Sequence, residues 1–164
     1  MEKIRLGIIG CGNIGKVHTD NIVGGKCPEV ELAAVCDLKK ERLDEILEKA
    51  PNVSVFYDAE EMMDSGLIDS VLVAVPHYDH PKYAIMALKK GLHTLIEKPA
   101  GVYTKQVMEM NEVAKESNAV FGIMMNQRTN CIYRKMPRRS NTSGRTCCSR
   151  CRNQALLNRP RQTT

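Results

Sequence analysis

The feature that most constrains this chain is a glycine-rich turn between an apolar segment and a stretch compatible with a helix. Ile4–Ile9 is a short, nearly continuous apolar run, and it leads directly into a G-x-G-x-x-G pattern from residue 10 to residue 15. Each glycine has its own physical role, since Gly10 permits a tight turn, Gly12 lets a ligand approach the backbone, and Gly15 allows close packing of helix on strand. The pattern therefore predicts a strand–turn–helix unit near the N-terminus.

Beyond this unit, short β-rich apolar runs alternate with longer amphipathic stretches as far as about residue 125. This alternation is typical of βαβ units, whose parallel strands are buried on both faces and therefore apolar throughout. The predicted strands are Ile4–Ile9, Glu31–Cys36, Val53–Phe56, Ser70–Val75, His93–Ile96 and Val120–Met125. The later predicted helices are Lys39–Ala50, one capped by Asp58 and ending at Ser65, His80–Lys90, and one capped by Thr104 and ending near Ser117. The predicted fold class is α/β, a Rossmann-type doubly wound parallel sheet.

A dinucleotide is the ligand that such a unit predicts, because a helix N-terminus offers unpaired N–H groups and a positive dipole end to phosphates. Asp37 ends the second strand about 20 residues beyond the turn, where a carboxylate accepts the ribose hydroxyls of adenosine. Asp37 could also cap the next helix, and one residue can do both. A carboxylate here repels a 2′-phosphate and favours NAD. Lys39, Lys40 and Arg42 could partly neutralise such a phosphate, so NADP is retained as the alternative.

The cysteines indicate free thiols and no metal site. Seven cysteines is an odd number, and the N-terminal apolar segment is too short for a signal peptide, so a cytoplasmic protein without a disulfide framework is expected. Cys11, in the glycine turn, is interpreted as a small space-filling residue, the alternative being a reactive thiol. Cys148 and Cys151 form a single C-x-x-C next to Cys147, which is incomplete for tetrahedral zinc.

The basic character of the chain is confined to its C-terminal part. The formal net charge is +5, but residues 137–164 contain seven Arg and no acid, and residues 1–136 carry a net charge of −2. Arginines could contact nucleic-acid phosphates, yet no aromatic residue follows Tyr133 to stack on bases, so nucleic-acid binding is not expected. No apolar run approaches the roughly 20 residues that a membrane span needs. The tail is expected to be disordered because it has too few apolar residues to offset its ordering entropy.

Three further segments carry a family pattern. Residues 74–80 match a strand-end T-P-N-x-x-H pattern, with His77 in place of the usual Asn. Residues 91–99 end in the signature Glu97-Lys98-Pro99, and Asn126-Gln127-Arg128 follows the sixth strand. With the glycine turn, these segments make the chain resemble the N-terminal domain of the Gfo/Idh/MocA family of NAD(P)-dependent oxidoreductases.

The resemblance implies hydride transfer between a secondary alcohol of a sugar, cyclitol or glycoside and the nicotinamide of NAD(P). It identifies Lys98 as the catalytic lysine that hydrogen-bonds the reacting hydroxyl, where an ammonium stabilises developing alkoxide charge. Asn126 and Arg128 either approach the nicotinamide or cap the following helix.

The motif and the resemblance together define a set of cofactor-binding residues. Pro76 and His80 are expected to line the groove at the end of the fourth strand, with His80 touching cofactor or substrate. His18 and His93 are interpreted as structural. The complete cofactor-binding set is Gly10, Gly12, Asn13, Ile14, Gly15, Asp37, Leu38, Val75, Pro76, His80, Glu97, Lys98 and Asn126.

The resemblance covers roughly residues 4–136, and the family's second, α+β substrate domain has no counterpart in the sequence. We divide the chain into a dinucleotide-binding domain at 1–125, the start of a crossover helix at 126–136 and an Arg-rich tail at 137–164. The abrupt change in composition predicts a truncated or frameshifted gene, with an authentic alternative tail as the other interpretation.

Because catalysis depends on positioning both reactants, this chain is expected to bind NAD but to turn over poorly or not at all. A non-catalytic dinucleotide-binding module is the alternative function. The resemblance also implies a small sugar or polyol as partner and homo-oligomers of full-length members.

Overall fold

The structure is a computed structural model that describes residues 3–128 and residue 130. Strands and helices alternate along the chain, as the sequence pattern predicts. The strands are β1 (Ile4–Ile9), β2 (Val30–Cys36), β3 (Ser54–Phe56), β4 (Ser70–Val73), β5 (His93–Glu97) and β6 (Phe121–Met124). The helices are α1 (Asn13–Val23), α2 (Lys40–Leu47), α3 (Ala59–Asp64), α4 (His80–Lys89) and α5 (Thr104–Glu116), followed by a short 3-10 turn, Asn126–Arg128.

The six strands form one sheet in the order β3-β2-β1-β4-β5-β6, and all neighbouring strands are parallel. From β1 at the centre of the sheet, β2 and β3 follow toward one edge. The chain then crosses back, and β4, β5 and β6 follow from the other side of β1 toward the opposite edge. This arrangement confirms the predicted doubly wound α/β fold. Its strand order reverses between β1 and β4, and ligands of such sheets bind outside the carboxyl ends of the strands at this switch point.

The core lies on both faces of the sheet, because successive strand residues point to opposite sides. Ile8 packs on the face that is covered by α2, whereas its neighbour Ile9 packs on the opposite face. The α2 face is filled mainly by Ile8, Val35, Leu43, Ile46 and Leu72. The other face is filled mainly by Ile9, Met62, Val71, Val73, Ile96 and Met110. Each such side chain contributes ~1.5–3 kcal/mol through burial, so the sheet is held as a three-layer unit.

The element ends agree with the predictions in part. Asp58 caps α3 as predicted, since its Oδ1 accepts the N–H groups of Glu60 and Glu61 at 2.8 and 3.0 Å. The predicted cap by Thr104 is wrong: Thr104 is the first helical residue of α5, and Tyr103 occupies the N-cap position without a side-chain bond. Strand β4 ends two residues before the predicted Val75, because its ladders with β1 and β5 both end at Val73.

Several predictions concern residues outside the described part of the chain. These are the continuation of the crossover segment past residue 130, the Arg-rich tail at 137–164 and the cysteines within that tail. The compact unit that holds the sheet extends to Asn126. Across residues 3–128 and 130, no helix is long and apolar enough to cross a membrane. The same residues contain no group of three His, Cys, Asp or Glu that could hold a metal ion.

Candidate functional site

The glycine turn joins β1 to α1 at the switch point, and its three glycines are required for different reasons. Gly10 has a φ of +94°, and a Cβ there would lie 2.6 Å from the carbonyl oxygen of Ala74. A Cβ on Gly15 would lie 2.0 Å from the carbonyl oxygen of Gly10. Both contacts are far too short, so the packing of the chain itself demands glycine at these two positions.

Gly12 differs because the protein alone does not require a glycine there. Its φ of −73° and ψ of −165° are open to any residue. The nearest atom to a Cβ on Gly12 would be Nη1 of Arg42, at 3.9 Å. The space over this backbone is therefore open, and it fits a phosphate group that must approach the chain closely.

The N-terminus of α1 faces the same space. The helix starts at Asn13, and its N-cap residue is Gly12, which has no side chain to bond the first-turn N–H groups. No acidic residue lies in the first turn, and the side chains of Asn13 and Ile14 are exposed. First-turn N–H groups and the positive end of the helix dipole attract anions, so this end of α1 is suited to a pyrophosphate.

At the end of β2, Asp37 is buried and anchored by several donors. Its Oδ2 accepts the Cys11 N–H at 2.8 Å, and its Oδ1 accepts the Lys39 N–H at 2.9 Å. Nη1 of Arg42 lies 3.1 Å from Oδ2. Burial acts to raise the pKa of Asp37, but these N–H groups and the guanidinium outweigh burial and hold the pKa below its ordinary value. Asp37 is therefore an ionised acceptor next to the glycine turn, with the exposed Leu38 following it.

Asp37 is not the N-cap residue of α2, but it is bonded to Arg42 in the first turn of that helix. Lys39, and not Asp37, occupies the N-cap position of α2. Arg42, in the first turn of α2, spans the region between Asp37 and the open space over Gly12. The sequence indicated only that Arg42 could neutralise a phosphate, and its ion pair with Asp37 is visible only in the folded chain.

At the end of β4, Val75 is half-buried and Pro76 is exposed, but His80 lies deeper than expected. His80 is 1% exposed, with Nδ1 2.7 Å from the carbonyl oxygen of Pro99 and Nε2 2.8 Å from that of Val75. Both ring nitrogens are thus engaged by backbone, whereas a direct contact with cofactor or substrate was expected. In this structure His80 links the ends of β4 and β5.

At the end of β5, Glu97 is buried while Lys98 is exposed. The Glu97 Oε1 lies 2.8 Å from Nε2 of His18 on α1, and Oε2 accepts the Lys98 backbone N–H at 3.1 Å. The peptide bond between Lys98 and Pro99 is cis. Within the described residues, the Lys98 ammonium forms no ion pair, so its charge is available to a ligand at this edge.

His18 bonds a residue that lies far from it in the sequence. It was interpreted as structural, yet it meets Glu97, which follows it by 79 residues in the chain. A local signal existed: His18 lies three positions after the buried Gly15, and this spacing places both residues on one face of α1.

The other histidine interpreted as structural, His93, lies at the start of β5, where its Nδ1 accepts the Val120 N–H at 2.9 Å. Asn126 is exposed, two residues after the end of β6.

The two cysteines near the turn are buried and unreactive in character. Cys11 is fully buried, and burial raises its pKa to about 12. Burial likewise raises the pKa of Cys36 to about 12. Because the thiolate is the reactive form, these pKa values support the space-filling interpretation of Cys11.

We expect Cys11 and Cys36 to resist alkylation in the folded chain. At pH 8 a thiol with a pKa of about 12 is ionised in only about one molecule in ten thousand. Iodoacetamide labelling followed by peptide mass spectrometry should modify the half-buried Cys27 well before either of them. In urea all three should react at similar rates. Rapid labelling of Cys11 in the folded chain would instead indicate a reactive thiol.

This geometry defines the class of the protein. A glycine turn at the switch point and an anchored acid at the end of β2 characterise a dinucleotide-binding Rossmann domain, and in this chain Glu97 and Lys98 follow at the end of β5. Residues 4–125 match the sequence profile of the oxidoreductase family with an NAD-binding Rossmann fold, Gfo/Idh/MocA. The chain belongs to this family.

Relatives agree with the assignment. The chain is 28% identical to myo-inositol 2-dehydrogenase of Thermotoga maritima over 81% of its own length and 39% of the relative's. It is 33% identical to D-glucoside 3-dehydrogenase of Escherichia coli over 71% of its length and 33% of the relative's. Its structure superposes with a TM-score of 0.78 on scyllo-inositol dehydrogenase of Lactobacillus casei, solved with NAD(H) and scyllo-inositol. That match has 28% identity and covers 81% of this chain and 39% of the other. The chain thus spans well under half the length of these relatives.

Proposed function

We propose that this chain supplies the cofactor-binding half of an NAD-dependent dehydrogenase acting on a secondary alcohol of a sugar, cyclitol or glycoside. The observation that carries the proposal is the position of Lys98 at the carboxyl end of β5, on the same sheet edge as the open space over Gly12. A dinucleotide bound across the switch point extends along this edge. The inositol and glucoside dehydrogenases among the relatives support the substrate class.

The proposed cofactor contacts follow the edge from β2 to β6. The pyrophosphate would lie on the glycine turn and α1, against Gly10, Gly12, Asn13, Ile14 and Gly15. The adenosine ribose would bind Asp37, with Leu38 beside it. Val75 and Pro76 would line the middle of the groove, where His80 supports the backbone. Glu97, Lys98 and Asn126 would surround the nicotinamide.

Lys98 has the catalytic role in this proposal. The nicotinamide, when bound, accepts or donates the hydride. Lys98 donates a hydrogen bond from its ammonium to the substrate oxygen and stabilises the alkoxide charge that this oxygen carries after its proton has passed to solvent and until the hydride leaves the carbon and the carbonyl forms. Its exposure at the end of a rigid strand suits this role, because the backbone is fixed while the amine remains accessible.

A non-catalytic dinucleotide-binding module is the second candidate function. It is favoured by the glycine turn and the anchored Asp37, which provide for dinucleotide binding without any role for Lys98. The two candidates differ in turnover and not in binding. Saturable NADH binding together with reduction of NAD by myo-inositol, scyllo-inositol or a methyl glucoside supports the dehydrogenase. Binding without turnover on any of them is expected of a cofactor-binding half by itself as well as of a module, so only turnover distinguishes the two candidates.

Both candidate functions require dinucleotide binding, and a fluorescence titration of the purified chain with NADH and, separately, with NADPH tests it. We expect saturable NADH binding that ADP-ribose displaces by competition. Failure of NADH, NADPH and ADP-ribose to bind a chain with a folded circular dichroism spectrum would contradict the proposal.

Replacement of Asp37 by asparagine is expected to reverse the cofactor preference. The amide keeps the shape of the side chain but loses the charge that binds ribose hydroxyls and repels a 2′-phosphate, and its single oxygen can accept only one of the Cys11 and Lys39 N–H groups. NADH affinity should fall roughly 10-fold or more, which corresponds to one lost charge-assisted hydrogen bond, while NADPH affinity rises. Arg42, released from its ion pair, is available to the phosphate. Titration with both nucleotides measures the ratio of NADH affinity to NADPH affinity.

The control for this switch is Asp37→Asn combined with Arg42→Gln. Removing the guanidinium should cancel the gain in NADPH affinity and leave NADH binding as weak as in the single variant. An unchanged NADH-to-NADPH ratio in Asp37→Asn would exclude Asp37 as the residue that selects the cofactor.

A further inference from the structure

Two side chains from different elements meet beside the turn that bears Lys98. His18 belongs to α1, with 18% of its side chain exposed, and Glu97 ends β5, with 7% exposed. The Nε2 of His18 lies 2.8 Å from Oε1 of Glu97. The second oxygen, Oε2, accepts the Lys98 backbone N–H at 3.1 Å. The carboxylate thus bridges the helix that follows the glycine turn and the backbone of the Glu97-Lys98-Pro99 turn.

This bridge has a mechanical consequence for the turn. The terminal torsion of a glutamate is broad and weakly restrained, so the direction of its carboxylate is set by its partners. A buried carboxylate also needs hydrogen-bond donors to remain buried. His18 supplies the donor from outside the turn, with the proton on Nε2, and thereby fixes the oxygen that faces the Lys98 N–H. Without His18, the Glu97 carboxylate would depend on the Lys98 backbone N–H of its own turn.

The position of His18 on α1 connects the Glu97 carboxylate to the helix that faces the proposed pyrophosphate position. Helix α1 carries both the N-terminus that faces the glycine-turn space and, less than two turns later, His18. The same rigid element therefore contacts the proposed pyrophosphate position at one end and the turn of the proposed hydride site at its side.

We propose that His18 is a positioning residue: through the Glu97 carboxylate it sets the orientation of the Lys98 turn against the nicotinamide. This inference rests on the proposed function, because it takes the Lys98 turn as a wall of the nicotinamide position. His18 itself touches neither cofactor nor substrate. Its effect is confined to the nicotinamide end of the cofactor and leaves the adenosine end unchanged.

The test compares two probes on the full chain. NADH contains the nicotinamide, and ADP-ribose contains only the part that binds the glycine turn and Asp37. In His18→Ala, NADH affinity should fall about 10-fold, as for one lost interaction with a charged group, whereas ADP-ribose affinity should stay within about twofold. The emission of bound NADH should also move toward that of free NADH. Glu97→Gln should show the same selective loss.

Two further variants are compared with His18→Ala: the conservative His18→Gln and the control His93→Ala. His18→Gln retains an N–H donor of comparable reach and should restore NADH affinity to within about threefold. His93→Ala removes a histidine that bonds the Val120 N–H at the other end of β5, and it should change neither affinity. Circular dichroism of each variant shows that the domain is folded.

Equal losses of NADH and ADP-ribose affinity in His18→Ala would overturn the inference, because His18 would then only maintain the fold. Unchanged affinities for both probes would overturn it as well. In either case NADH binding by the unsubstituted chain would leave the proposed function in place. Failure of the unsubstituted chain to bind NADH would remove the proposed function and this inference together.

Discussion

Replacement of Gly12 by valine is expected to abolish NADH binding without unfolding the domain. The backbone angles of Gly12 are ones that valine adopts, and among the described residues only the flexible end of Arg42 comes within 4 Å of the added Cβ, at 3.9 Å. The valine methyl groups would instead occupy the space over the turn where the pyrophosphate must approach. We expect NADH affinity to fall about 100-fold or more, equivalent to ~2.7 kcal/mol of binding free energy, with little change in unfolding free energy.

NADH fluorescence titration and urea unfolding of the same protein measure the two parts of this prediction. Gly12→Ala provides a graded control, because a single methyl group fills less of the space and should weaken NADH binding by an intermediate amount. If Gly12→Val bound NADH as the parent chain does, the pyrophosphate would not lie over Gly12. If it unfolded, the space over the turn would be needed for folding and not for a ligand.

Replacement of Gly15 by alanine is expected to do the opposite and destabilise the fold. The added methyl group is smaller than a valine side chain, but it would lie 2.0 Å from the carbonyl oxygen of Gly10, whereas real Cβ contacts are essentially never below 3.0 Å. Because the obstacle is backbone, α1 must move away from the end of β1. We expect a loss of about 3 kcal/mol or more in unfolding free energy, at the upper end of the cost of overpacking.

Urea unfolding followed by circular dichroism measures this loss as a lower midpoint. A matched control is Val17→Ala, two residues further along α1, where the residue is 50% exposed and truncation should cost little. An unchanged midpoint in Gly15→Ala would mean that α1 does not pack against the glycine turn as described. Together, the Gly12 and Gly15 variants separate the glycine that serves a ligand from the glycine that serves the fold.

Those parts of the molecule that depend on local chemistry were predictable. The apolar run of β1 followed by the glycine turn predicted the first unit, because φ of +94° at Gly10 and the contact at Gly15 leave few other residues suitable. Asp58 was recognised as a cap because capping uses the next few N–H groups of the same helix. The cap at Thr104 failed although the same kind of signal was present, since the helix boundary shifted by one residue.

The family pattern extended these predictions from the fold to the site. Glu97-Lys98-Pro99 placed a lysine at the end of β5, and β5 does end at Glu97. It did not indicate that Glu97 would be buried while Lys98 is exposed, which is what makes one residue a support and the other accessible to a ligand. The roles proposed for both therefore depend on side-chain surroundings and not on the motif alone.

The strand–helix alternation and the glycine turn already indicate the fold class and the cofactor class, because each depends on residues close together in the chain, and the resemblance carried by residues 74–80, 91–99 and 126–128 indicates the family. The contacts that arrange the site join residues far apart: His18 with Glu97, His80 with Pro99, and Cys11 with Asp37. Such pairs form only after the parallel strands bring their carboxyl ends to one edge of the sheet. Packing of the whole domain decides which polar groups become buried there, and burial selects the partner of each one.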